Sequence, residues 1–89
     1  MQIIWDEEKN ELLKSTRNIC FEDIESAILN DKVLDIVPHH NTMKYPDQEL
    51  LIVEFANYVY YVPYVMDGER LVLKTIIPSR KLTKKYRKD

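Results

Sequence analysis

The chain has 89 residues, of which 45% are hydrophobic and 31% charged, with one glycine and a formal charge of -2. That length holds one small core and leaves no room for a second domain, and the composition is that of a folded protein rather than a disordered one, so residues 1–89 are expected to form a single domain. The lone Cys20 excludes an internal disulfide scaffold, and the absence of a basic leader or an apolar run near the roughly 18 to 20 residues of a membrane span predicts a cytoplasmic protein with no membrane partner.

In chain order, Ile3, Ile4 and Trp5 predict a short strand. Asp6 follows as an N-cap, and Glu7 and Glu8 complement the macrodipole of a first helix running to about Thr16. Asn18 suits a left-handed helix end. From Cys20 onward Phe21, Ile24, Ala27 and Ile28 fall on one helical face, so a second helix is predicted, ended by Asn30 and Asp31. "KVLDIV" predicts a strand, and residues 38–48 a polar loop carrying His39, His40, Lys44 and Tyr45. Three β-rich runs follow, "ELLIVEFA", "YVYYVPYVM" and "RLVLKTII", parted by the turn signals Ala56-Asn57 and Asp67-Gly68, which is the pattern of an antiparallel meander. Pro63 in the middle run predicts a bulge or an unpaired position. The third run alternates Leu71, Leu73, Thr75 and Ile77 against Val72, Lys74 and Ile76, as a single strand with one partly wet face would. After Pro78, Leu82 and Tyr86 stand four apart among Arg80, Lys81, Lys84, Lys85, Arg87 and Lys88, predicting a short cationic helix with two apolar anchors. The fold class is therefore α+β, with two N-terminal helices packed on an antiparallel meander and a basic helix closing the C-terminus.

Charge is distributed unevenly. Residues 1–74 carry seven Lys and Arg against fourteen Asp and Glu, a balance of -7, while residues 75–89 carry six against one, a balance of +5. A helix anchored by Leu82 and Tyr86 would turn those cations outward as a ridge suited to an anion, either a nucleic acid or an acidic partner.

The order Trp5-Asp6, Lys9, Ile19-x-Phe21-Glu22-Asp23, three hairpin strands and Ile76-Ile77-Pro78-Ser79-Arg80-Lys81-x-Thr83 resembles the BrnT-type toxins of bacterial toxin–antitoxin pairs, relatives of the RelE-like ribonuclease fold. The likeness spans nearly the whole chain. It implies a small RNA-cleaving toxin acting on RNA or the ribosome, without a cofactor, and neutralised by an antitoxin of the DNA-binding ribbon-helix-helix type. Among the departures from the family pattern, two bear on chemistry: Arg17 stands where the family has a histidine, and Tyr86 where it has an acidic residue.

Metal-independent RNA cleavage requires deprotonation of a 2′-hydroxyl, stabilisation of phosphate charge and protonation of the leaving 5′-oxygen. Arg80 is the first candidate for phosphate, since a guanidinium grips two oxygens and a helix start adds N–H donors; the competing role is an ion pair with the acidic body. Lys74, Lys81, Lys84 and Lys85 are candidates for RNA binding, with a solvated surface as their alternative. His39 and His40 are the imidazoles available for proton transfer, unless they are merely loop surface. Two histidines without a third ligand make no metal site. Tyr86 is a further proton-transfer candidate; the other tyrosines suit packing better than base stacking, and Cys20 suits a helix start better than a nucleophile.

Overall fold

A computed structural model of the chain describes residues 1–87. Strand β1 (Gln2–Ile4) leads into helix α1 (Glu7–Arg17), and Asp6 caps the junction by accepting the amides of Glu8 at 2.8 Å and Lys9 at 3.4 Å. Asn18 ends α1 at φ 54°, a left-handed position that Asn tolerates. Helix α2 (Phe21–Leu29) begins after Cys20, whose backbone N–H donates to the Asp23 carboxylate at 3.1 Å. Strands β2 (Val33–Pro38), β3 (Glu49–Phe55), β4 (Tyr58–Asp67), β5 (Arg70–Leu73) and β6 (Ile77–Pro78) precede helix α3 (Arg80–Tyr86). Ala56 and Asn57, both at positive φ, make the tight β3–β4 turn, and Gly68 at φ 62° serves the next one.

The fold is α+β. Strands β3 to β5 form the expected antiparallel meander and β2 extends it beyond β3, with the order β1-β5-β4-β3-β2 across the sheet and β6 added beside β4. Period-2 alternation gives the sheet two apolar faces. On the first, Leu51, Val53, Val62, Tyr64, Leu71 and Leu73 pack with Leu13 of α1 and with Phe21, Ile24 and Ala27 of α2. On the second, Leu50, Ile52 and Val59 form a smaller cluster closed by Leu82 and Tyr86 of α3, with Val37 and Tyr61 at its margin. The sheet is thus sandwiched between α1 and α2 on one side and α3 on the other.

Two features correct the expectations from sequence. The sheet is not wholly antiparallel, because β1 pairs in parallel with β5, placing Ile3 opposite Leu71; the long excursion through both helices makes that orientation possible. Nor is "RLVLKTII" one strand. Tyr64 faces Leu73, but Tyr61 faces Ile77, so the pairing along β4 slips by one residue across positions 74–76. Pro63 stands opposite this bulge. It has no N–H to give, and its carbonyl accepts the Lys74 N–H at 2.8 Å. The slip turns Ile76 into the first core, where it is fully buried, and Ile77 onto the second face.

Candidate nucleic-acid interface

Helix α3 is only seven residues long, too short to persist unsupported, so its docking determines where its charges point. Leu82 and Tyr86 pack on Leu50, Ile52 and Val59. The Thr83 hydroxyl accepts the Val59 N–H at 2.9 Å and donates to the Ser79 carbonyl at 2.7 Å, and Ser79 N–H donates to the Val59 carbonyl at 3.0 Å. Arg87 pairs with Glu54 of β3. Arg80, Lys81, Lys84 and Lys85 remain exposed, and among the described residues none of them has a carboxylate partner. Lys88 lies outside the described residues. In the first turn of α3 the Ser79 side chain accepts the Leu82 N–H at 3.1 Å, so one of the donors expected there is taken. Tyr86 is held by packing, with Lys85 Nζ 5.4 Å from its ring centre.

Lys74, His39 and His40 converge elsewhere on the second face. They line a cleft of about 400 Å³ together with Lys9, Tyr45, Gln48, Pro63, Thr75 and Ile77. The bulge presents Lys74 and Thr75; the loop after β2 folds over to supply the histidines and Tyr45; α1 supplies Lys9. The wall contains two ammonium groups and no carboxylate, although the chain as a whole is acidic. Lys74 also borders a second hollow that does contain Asp47, Glu49 and Asp67. Cleft and helix are neighbours: the His40 ring meets Tyr61 edge-on at 5.7 Å, and Tyr61 belongs to the cluster that holds α3.

The two imidazoles differ. His39 is only 7% exposed, with the tilted rings of His40 and Tyr45 centred 4.6 Å and 4.7 Å away. Its Nδ1 accepts the Asn41 N–H at 3.0 Å. Burial, reinforced by the charge of His40, lowers its pKa below the ordinary imidazole value. His40 is exposed, and no described residue hydrogen-bonds its ring.

Arg80 and Tyr86 do not line this cleft, so the candidates fall into two adjoining groups, a cleft with Lys74, His39 and His40 and a ridge with Arg80, Lys81, Lys84 and Lys85. Arg17 lies in neither. Its guanidinium donates to the Ile76 carbonyl at 2.6 Å, tying α1 to the bulge. Cys20 has its pKa raised, chiefly by burial, which opposes thiolate formation. Among the described residues no group of three or more His, Cys, Asp or Glu is placed to hold a metal ion, and no helix is long and apolar enough to cross a membrane.

Lys9 and Tyr45 are site residues that the sequence alone does not single out. Lys9 carries a signal, since it belongs to the Trp-Asp-x-x-Lys stretch; nothing in the loop marks Tyr45 as the ring that covers His39. No protein-family model, curated protein or solved structure matches the chain.

Proposed function

We propose that the chain is a BrnT-type toxin with a RelE-like fold, an endoribonuclease that binds RNA across α3 and cleaves it in the His39–His40 cleft. The observation carrying this proposal is the cleft wall itself: imidazoles and two ammonium groups, without a carboxylate, within an acidic protein. Such a lining attracts a phosphodiester and provides groups that can move protons near neutral pH. Arg80, Lys81, Lys84 and Lys85 extend the positive surface and hold the flanking strand by its phosphates.

In the reaction, a cleft imidazole takes the proton of the 2′-hydroxyl, the 2′-oxygen bonds to phosphorus and the bond from phosphorus to the 5′-oxygen breaks. Lys74 and Lys9 balance the phosphate charge, and an ammonium of this pair gives the departing oxygen its proton. The products are a 2′,3′-cyclic phosphate and a 5′-hydroxyl. The partner that restrains this activity is an antitoxin of the ribbon-helix-helix type, as the resemblance implies.

Induced expression tests the proposal. Wild type should arrest growth and fragment cellular RNA, and Lys74→Ala should relieve both; Arg80→Ala should weaken them through reduced RNA binding. Whole RNA and undisturbed growth with the wild-type chain would favour a binding module without catalysis. The packing of Tyr86 and the placement of Arg80 outside the cleft favour that second role.

A further inference from the structure

We infer that the two adjacent histidines of the cleft have different and fixed roles: His39 is locked as a neutral donor through Nε2–H, and His40 is the imidazole that exchanges the proton. The functional meaning of this division rests on the proposed ribonuclease activity, but the division itself is a property of the free protein.

The geometry at His39 leads to it directly. A backbone N–H can only donate, so the Nδ1 that receives Asn41 N–H at 3.0 Å must present its lone pair. In the neutral ring the proton therefore sits on Nε2. Protonating Nδ1 would replace that hydrogen bond with two opposed N–H groups, beside a second imidazole whose tilted ring is centred 4.6 Å away. The Tyr45 ring is a second neighbour, centred 4.7 Å away. The charges facing the cleft oppose protonation as well, since Lys9 from α1 and Lys74 from the β5–β6 bulge line it and no carboxylate does. Asp47 and Glu49 share only the adjoining hollow with Lys74.

His39 Nε2 is nevertheless available to a ligand. No described residue bonds it, yet among the described residues no buried side-chain nitrogen or oxygen is left without a partner, so this atom reaches solvent. The position offers a neutral N–H to a phosphate oxygen and has no lone pair with which to act as a base. His40 has the complementary freedom. It is exposed, its nitrogens have no described hydrogen-bond partner, and its described ring contacts are the tilted His39 ring and an edge contact with Tyr61. The ring whose Nδ1 lone pair is engaged by Asn41 N–H would have to give up that bond to take a second proton, and the His40 ring has no such bond to lose.

Nitrogen-resolved NMR of the two rings, followed from about pH 8 to about pH 5 across the imidazole range, tests the division. The expected result is that His39 keeps the Nε2–H signature while the His40 signals move first. A His39 ring in the Nδ1–H form, or one that protonates together with or ahead of His40, would overturn the inference whether or not the protein cleaves RNA. Kinetics give the functional arm. His39→Gln, which retains a non-titrating N–H donor near Nε2, should keep the shape of the wild-type pH–rate profile, whereas His40→Gln should lose about 100-fold or more in rate. A profile abolished in His39→Gln and retained in His40→Gln would reverse the assignment. A wild-type chain that shows the expected ring states but leaves RNA whole would contradict the ribonuclease proposal and leave the division standing.

Discussion

At the scale of single residues, buried polar groups decide how the helices meet. Asn10 is completely buried, yet its amide donates to Glu22 at 2.7 Å and Glu7 at 3.2 Å and its carbonyl accepts Phe21 N–H at 2.7 Å. The bond from Asn10 is the main reason the Glu22 carboxyl lies below its usual pKa. Replacement by alanine strands the Phe21 amide in the core, so Asn10→Ala should destabilise the fold by about 2 kcal/mol in denaturant unfolding, with little effect on the cleft. His39 supplies a pH dependence whose sign follows from its depressed pKa. Below the ordinary imidazole value of 6.5 the unfolded chain binds a proton that the native ring resists, so the stabilisation is complete above about pH 6.5 and is lost as pH falls through the lower native value. His39→Asn keeps an acceptor near the Nδ1 position and cannot titrate; its unfolding free energy should fall less steeply with acidification over that window than that of wild type.

At the scale of elements, α3 shows what a short helix owes to its surroundings. Thr83 is partly buried and gives the Val59 amide its acceptor. Thr83→Val conserves shape but removes the oxygen, and should cost about 1–2 kcal/mol with faster hydrogen exchange at Val59. The helix itself was legible in the sequence, since Leu82 and Tyr86 four residues apart had to face one way and the lysines another. Its side of the sheet was not, because each strand of the meander had apolar residues for two faces and α1 and α2 could account for only one. The break in the last β run was half legible. Pro63 announced an unpaired position in β4, but the slip that sends Ile76 inward and Ile77 to the cleft depends on pairing between segments that the local alternation could not register. The cleft was the least legible element, because it joins α1, a loop and a bulge across more than sixty positions of chain; the two imidazoles and Lys74 were recognisable as candidates in advance, but not their convergence.

At the scale of the whole molecule, charge is sorted rather than balanced. Acidic residues dominate up to Lys74, while α3 and the cleft wall present ammonium and guanidinium groups on the second face of the sheet. The proposed RNA binding should accordingly weaken as salt rises, and Lys81→Ala or Lys84→Ala should reduce the steepness of that dependence by about 0.7 for each phosphate the variant leaves without its ammonium partner. The most direct measurement is incubation of the purified chain with an end-labelled RNA and with the same sequence carrying a 2′-deoxy sugar at the cut position, followed by analysis of the ends. Cleavage leaving a 2′,3′-cyclic phosphate, blocked by the deoxy sugar and by His40→Gln, is the predicted result; RNA left intact by the wild-type chain, or cut equally well without the 2′-hydroxyl, would contradict it.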